Sequence, residues 1–179
     1  SEIVALNASV PHFGYPCFHS KGRGSPFRRE VGKVDAVKDP WYDYECGDVE
    51  NYVFAKHALG PRASPLGTVF YDRSRYDVNH ANKAAFPERY DGVLFVALHG
   101  CADAEPYIDA LDYIIGYKVV MVDIDVGDNS IRNVQDFVRG WRDEGNSSLV
   151  NNKTLNPVKG RPAFIEILND GSMLISDDW

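Results

Sequence analysis

The run Gly92-Val93-Leu94-Phe95-Val96-Ala97-Leu98 is apolar almost without a break. A short apolar run bounded by turn residues is typical of a β-strand that is buried on both faces. On either side of it, Thr68–Tyr71 and Tyr117–Ile124 have the β-branched and aromatic composition that strands prefer. The residues Pro65-Leu66-Gly67 ahead of the first of these runs predict a turn. The central part of the chain therefore predicts a β-sheet.

The best hairpin signal in the chain lies near its C-terminus. Asn169-Asp170-Gly171 separates two more strand-like runs, Ala163–Leu168 and Ser172–Ser176. Asp-Gly favours the tight turns whose twist matches that of antiparallel strands. Together with the central runs, this hairpin predicts an all-β fold.

One segment, which begins at Asp103, departs from the β pattern. Its apolar residues Ile108, Leu111 and Ile115 have the i, i+3 and i+7 spacing of one helix face. Asp103 is a suitable N-cap residue, and Gly116 stands just past the end, where a helix commonly stops. We therefore expect one short helix inserted between the strands.

The composition excludes several classes of protein. The 179 residues include 19 Lys and Arg against 26 Asp and Glu, a formal net charge of −7, and 44% are hydrophobic. This hydrophobic content is typical of a packed domain rather than a disordered chain. The acidic balance disfavours a nucleic-acid partner, because phosphate binding requires clustered Lys and Arg. We expect no membrane span, because no apolar run approaches the roughly 18 residues that one needs.

Three glycosylation sequons favour an extracellular or secretory location. They begin at Asn7, Asn146 and Asn152, and each has the Asn-x-Ser/Thr pattern that the secretory pathway modifies. We therefore expect a secreted glycoprotein.

The three cysteines are consistent with the same location. Cys17 and Cys46 bracket a long, charged, turn-rich stretch, and we expect a disulfide between them to close it. Cys101 is left over as a buried thiol or as the partner of a cysteine outside this chain. The close cysteine and histidine spacings of a zinc site are absent from the sequence, so we expect no metal site.

The sequence lacks the short motifs that identify common catalytic sites. It contains no Gly-x-Ser-x-Gly nucleophile elbow, no phosphate-binding loop and no dinucleotide fingerprint. Asp177 and Asp178 are adjacent, and neighbouring residues on a strand point to opposite faces, so they cannot share one substrate atom. Function has to be inferred from a longer pattern.

Such a pattern extends over nearly the whole chain as a series of short segments. In order they are Phe13–Cys17, Ala63–Tyr71, Phe86–Gly100, Gly116–Val120, Asp136–Gly140, Gly160–Ala163 and Asn169–Asp178. In order and approximate spacing they resemble the C-terminal part of the glucose/sorbosone dehydrogenase family, which includes the fungal pyranose dehydrogenases. Members of this family are six-bladed β-propellers that oxidise sugars with pyrroloquinoline quinone (PQQ).

The resemblance implies a fold and a reaction. Residues 1–179 would form the last blades of a partial six-bladed β-propeller with one short inserted helix. At about 40–50 residues per blade the chain is too short for a whole ring, so we expect it to be part of a longer assembly. The complete enzyme would oxidise a sugar hydroxyl by hydride transfer to PQQ and would use Ca²⁺. Its partners would be the remaining blades, the sugar, and an electron acceptor such as a haem domain.

The resemblance also implies cofactor-binding residues. Arg161, in the Gly-Arg-Pro turn, matches a family arginine that binds PQQ, and a guanidinium suits the three carboxylates of that molecule. His99 closes the buried strand next to Gly100, which allows backbone to approach a ligand. Arg62 stands where family members often have histidine. The alternatives are a surface turn residue for Arg161 and a satisfied strand-end histidine for His99.

Two departures leave a second interpretation open. The family continues from the His-Gly pair through a short Ser-Trp-Asn-Arg-like loop, whereas Cys101–Ile115 is longer and acidic. The catalytic residues of this chain are also unknown, because the family's general-base histidine and its calcium ligands come from earlier blades. The alternative is a catalytically inactive extracellular β-propeller that acts as a binding or structural module.

Overall fold

The computed structural model describes residues 2–3, 18–19, 23–24, 55–60, 63–76, 84–100, 116–125, 127–142 and 158–178. The chain divides into two compact units, Ser1–Leu59 and Gly60–Trp179. In the first unit, two short antiparallel pairs are described. Strand β1 (Glu2–Ile3) pairs with β4 (His57–Ala58), and β2 (Phe18–His19) pairs with β3 (Arg23–Gly24).

The second unit contains a four-stranded antiparallel sheet in which sequence neighbours are also spatial neighbours. Its strands are β5 (Pro65–Phe70), β6 (Val93–Leu98), β7 (Lys118–Asp125) and β8 (Ser130–Val138). A separate antiparallel hairpin follows, made of β9 (Pro162–Ile167) and β10 (Met173–Asp177). Single 3-10 turns at Arg73–Arg75 and Glu88–Tyr90 complete this unit, within the described ranges.

The described residues confirm the all-β class. The runs predicted around residues 68–71, 92–98, 117–124, 163–168 and 172–176 all form strands, and the Asp170-Gly171 turn joins β9 to β10. One prediction was wrong, because the turn expected at Pro65-Leu66-Gly67 is the beginning of β5. Strand β8 was missed altogether.

Bulges explain why β8 escaped prediction. Val119 pairs with Val138 and Val120 with Asp136, so Phe137 is an extra residue on β8. A second shift in register lies between Asp123 and Ile124 of β7. Each bulge reverses the face to which the following side chains point, so the two-residue alternation that identifies a half-buried strand is lost.

The core of the second unit lies between the sheet and the hairpin. Its buried members are Tyr71, Val93, Phe95, Ala97, Val119 and Ile165. Aromatic rings extend this core, with the centroids of Phe95 and Phe137 4.7 Å apart. Since Ile165 comes from β9 and the others from the sheet or its connections, the hairpin covers one face of the sheet.

Gly67 permits the closest approach of the two layers. A Cβ at this position would lie 2.7 Å from the Ala163 carbonyl oxygen and 2.7 Å from Phe164 Cα, both backbone atoms of β9. Strands β5 and β9 are therefore in backbone contact, which only a residue without a side chain allows at this point.

The outer faces of the two layers carry large apolar side chains. On β5, Leu66 and Phe70 alternate with the buried Gly67, and on the hairpin Phe164 and Leu174 point away from the core. These four side chains are between 46% and 58% exposed. Two sheet layers thus pack on each other, and exposed apolar side chains lie on the edge strand β5 and on the hairpin, whereas Val96, Val120 and Val122 in the middle of the sheet are buried.

Several predictions concern residues that lie outside the described ranges. These are the helix from Asp103 to Ile115, the Cys17–Cys46 disulfide, Cys101, the sequons at Asn7, Asn146 and Asn152, and Arg62. Within the described part of the chain, no helix has the length and apolar character needed to cross a membrane.

Candidate functional site

One end of the second unit gathers polar side chains from five strands or their flanking residues. We call this group the strand-end cluster; its members are His99, Tyr117, Arg142, Arg161, Asp177 and Asp178. In an antiparallel meander the end of β6 lies beside the beginning of β7, and the end of β8 lies at the same edge. The start of β9 and the end of β10 reach this edge as well, as the contacts below show.

His99 contacts protein oxygens through both ring nitrogens. Nδ1 lies 2.9 Å from the Gly100 carbonyl oxygen, and Nε2 lies 3.2 Å from Asp178 Oδ2. The backbone is fixed too, because the His99 N–H donates to the Ser64 carbonyl at 3.0 Å. The side chain is 15% exposed, which leaves little of it open to solvent.

Asp177 joins the turn before β9 to the end of β8. Its Oδ1 accepts the backbone N–H of Arg161 at 2.8 Å, and its Oδ2 accepts the indole N–H of Trp141 at 3.1 Å. A Cβ on Gly160 would overlap both Asp177 and Trp141, so this turn needs glycine. The neighbouring Asp178 donates its own N–H to the Arg161 carbonyl at 2.9 Å. Adjacent carboxylates thus serve different partners, as the strand geometry predicts.

Two guanidinium groups lie next to the ring of Tyr117. The Cζ atoms of Arg142 and Arg161 are 5.1 Å and 5.8 Å from the ring centroid, within the range of cation–π attraction. Tyr117 is only 3% exposed and has a φ of +56°. Its ring lies against Gly100, where a Cβ would come within 2.6 Å of it. The buried Tyr117 ring therefore lies close to Gly100 and to both arginines.

Arg142 is the most unusual member of the cluster. It is 6% exposed, and its Nε makes no hydrogen bond in the part of the chain that the structure describes. Burying a polar donor without a partner costs about 1–3 kcal/mol, and more when the group is charged. The cation–π contact with Tyr117 offsets part of this cost, on the order of 2 kcal/mol when the pair is desolvated.

The structure brings together two of the three residues that the sequence indicated. Arg161 and His99 are linked through Asp178, which contacts the backbone of one and the imidazole of the other. Arg62 lies outside the described residues, although the carbonyl of the next residue, Ala63, accepts the Gly100 N–H at 2.9 Å.

Sequence reasoning missed Arg142 and Tyr117. An arginine beside a tryptophan in a Gly-Trp-Arg segment carries no signal of burial. Tyr117 belonged to a recognised strand, so its sequence gave no reason to separate it from the core. Both were identifiable only by the contacts that they make.

Carboxylates with a shifted pKa lie in surface turns away from this cluster. A backbone hydrogen bond from Gly127 and the Arg132 guanidinium lower the pKa of Asp125, and hydrogen bonds from Ser172 lower that of Asp170. Among the described residues, no three His, Cys, Asp or Glu side chains are grouped so as to hold a metal ion.

Comparison with known proteins finds a distant relative. An uncharacterized protein of Borreliella burgdorferi (strain ATCC 35210 / DSM 4680 / CIP 102532 / B31) is 24% identical over 178 residues. The match covers 99% of this chain and 36% of that protein, so the chain spans about a third of the length of the curated relative that it matches. No family model matches the chain. No solved structure matches it either. These comparisons assign no family, and the resemblance to the glucose/sorbosone dehydrogenases stays a prediction.

Proposed function

We propose that residues 1–179 are the C-terminal portion of a PQQ-dependent sugar dehydrogenase, and that the strand-end cluster forms part of its cofactor site. The observation that carries this proposal is the meeting of Arg161 and His99 at one strand end. Both were assigned as cofactor-binding positions by the same motif resemblance, in segments that lie 62 positions apart in the sequence. Their proximity is what that resemblance requires of a shared site.

The residues of the cluster fit the chemistry of the cofactor. PQQ carries three carboxylates, and guanidinium groups pair with carboxylates through two parallel hydrogen bonds. Arg161 and Arg142 lie beside the same aromatic ring, and the buried Nε of Arg142 is a donor without a partner among the described residues. An orphaned, positively charged donor is the complement that a carboxylate needs.

The residues of this chain would bind and orient rather than transfer protons. When bound, PQQ supplies the acceptor for the hydride that leaves the sugar carbon. The hydroxyl proton goes to a general base, which we place, with the calcium ligands, in blades outside residues 1–179. His99 is already fixed by Gly100 and Asp178 and is suited to position a ligand at the end of β6.

The architecture of the second unit supports a partial propeller. A propeller blade is a four-stranded antiparallel meander, and neighbouring blades pack face to face. The sheet β5–β8 has that topology, and the hairpin β9–β10 packs on its face with β5 and β9 in backbone contact. The exposed apolar side chains of β5 and of the hairpin are surfaces that the remaining blades would cover.

The location and the remaining partners follow from the same proposal. Sequons at Asn7, Asn146 and Asn152, and a disulfide between Cys17 and Cys46, would suit an extracellular enzyme. The sugar and an electron acceptor such as a haem domain would complete the reaction.

The experiment that tests this function uses the intact polypeptide that carries residues 1–179, mixed with PQQ and Ca²⁺. We expect saturable PQQ binding, sugar-dependent reduction of a dye, and loss of both in Arg161→Ala. Arg139→Ala is the matched control, because Arg139 follows β8 directly and its side chain is 55% exposed. Absence of PQQ binding, or an Arg161→Ala variant that binds like wild type, would overturn the proposal.

A second candidate is an inactive extracellular propeller that serves as a binding or structural module. The observation that favours it is the engagement of both His99 ring nitrogens by protein oxygens, which is what a structural histidine shows. Under this alternative, His99→Gln lowers the unfolding temperature, and the intact polypeptide neither binds PQQ nor oxidises sugars.

A further inference from the structure

Arg142 is a buried cation that the fold does not explain. The residue is 6% exposed, and its Nε has no hydrogen-bond acceptor within the described ranges. Less buried cations of the same sheet are paired, since Lys118 lies 2.9 Å from Asp136 and Arg132 contacts Asp125. An unpaired charge in the more buried position is unfavourable unless a ligand supplies the missing anion.

The surroundings of Arg142 favour an anionic ligand. The Arg161 guanidinium also lies within 5.8 Å of the centroid of the Tyr117 ring that Arg142 contacts. The acidic members of the cluster bind other donors, because Asp177 accepts from Trp141 and the Arg161 backbone, and Asp178 faces His99. A ligand carboxylate at Arg142 would supply the acceptor that its Nε lacks among the described residues.

We propose that Arg142 binds a carboxylate of the ligand at the strand-end cluster, which makes this a polycarboxylate site with two arginine ligands. The inference rests on the placement of a ligand at this strand end under the proposed function. It adds a residue that the motif resemblance does not assign. It also identifies the ligand class as polycarboxylates, whether or not the ligand carries a quinone.

The test measures binding by titration calorimetry with two probes on the intact polypeptide that carries residues 1–179. The probes are PQQ and benzene-1,3,5-tricarboxylate, a planar tricarboxylate without a quinone. Arg142→Met removes the charge at similar volume, and Arg139→Met is the control at an exposed position near the same strand end. Thermal unfolding without ligand is measured in parallel for each variant.

We expect Arg142→Met to weaken binding of PQQ about tenfold or more, as for loss of one charge-assisted hydrogen bond, and to weaken tricarboxylate binding likewise. Arg139→Met should stay within about twofold of wild type by the usual size of exposed-charge effects. The ligand-free unfolding temperature of Arg142→Met should equal or exceed that of wild type, because a buried unpaired charge has been removed. A purely structural arginine would give the opposite thermal result.

The outcomes separate this inference from the proposed function. If Arg161→Ala abolishes PQQ binding and Arg142→Met does not, the inference fails and the proposed function stands. If both arginines are needed for the tricarboxylate but PQQ is neither preferred nor reduced, the inference stands and the proposed function fails. Binding of neither probe by wild type refutes both. Should Arg142→Met not fold, Arg142→Gln is used; it lacks both the charge and the guanidinium Nε–H, and wild-type affinity in that variant overturns the inference.

Discussion

Replacing Gly67 with alanine tests the packing of the two β layers directly. The added Cβ would lie 2.7 Å from the Ala163 carbonyl oxygen, 2.7 Å from Phe164 Cα and 2.9 Å from the Ile165 backbone nitrogen. Carbon atoms pack at about 3.5–4.0 Å, so the sheet and the hairpin would have to separate by roughly 1 Å. Backbone atoms cannot rotate away as side chains can. Gly67 is not among the residues with positive φ, so the penalty is one of space alone.

The expected loss of unfolding free energy is about 2–3 kcal/mol, the upper part of the range for overpacking, because a gap of this size weakens dispersion contacts along the whole interface. In a protein of this size that loss lowers the unfolding temperature by roughly 5–10 °C. Urea unfolding followed by tryptophan fluorescence measures it, since Trp141 bonds to Asp177 at the end of the hairpin.

Gly127→Ala is the matched control for this prediction. Its Cβ would meet only the Asp125 Oδ1 atom, at 3.2 Å, and that side chain can move in the exposed turn. We expect its unfolding free energy to change by less than about 1 kcal/mol. If Gly67→Ala unfolds at the same urea concentration as wild type and this control, β5 and β9 are not in backbone contact and the reasoning is refuted.

Three further predictions concern the core, the turns and the outer faces. Ile165→Ala should lower the unfolding free energy by about 2–4 kcal/mol, because the side chain is 2% exposed between the two layers; an unchanged urea midpoint would contradict this packing. Hydrogen bonds from the hydroxyl and the backbone N–H of Ser172 hold the pKa of Asp170 below its usual range. The stabilisation that these bonds give the folded state is therefore complete above about pH 4, and it is lost as the pH falls through the folded-state pKa. Asp170→Asn should therefore show a smaller difference in unfolding temperature between pH 6 and pH 3 than wild type, and an equal difference would count against the turn geometry. The double variant Leu66→Ser with Phe164→Ser should reduce self-association of residues 1–179 in sedimentation experiments, since both side chains are 58% exposed apolar surface; undiminished association would show that these faces are not what attracts a partner.

The strands were predictable where local signals suffice. A continuous apolar run predicts a strand without information from the rest of the chain, as at Val93–Leu98. An Asp-Gly pair between two such runs predicts a hairpin in the same way, as at Asp170-Gly171. Strand β8 was not predictable in this way, because its bulges are set by the pairing with β7 and interrupt the alternation along the chain. Pro65 was mistaken for part of a turn, since proline is common both in turns and at the first residue of a strand.

By itself, the sequence determined the all-β class and the position of five of the strands. The spacing of apolar residues and the presence of turn-forming residues decide these features, and both are properties of neighbouring residues. It also singled out Arg161 and His99 through a resemblance between motifs. Only the tertiary structure decided that these two meet at Asp178, and that Arg142 is buried beside Tyr117 without a partner for Nε among the described residues. Burial and hydrogen-bond pairing depend on which distant segments of the chain pack together, and this packing cannot be inferred from a local sequence pattern.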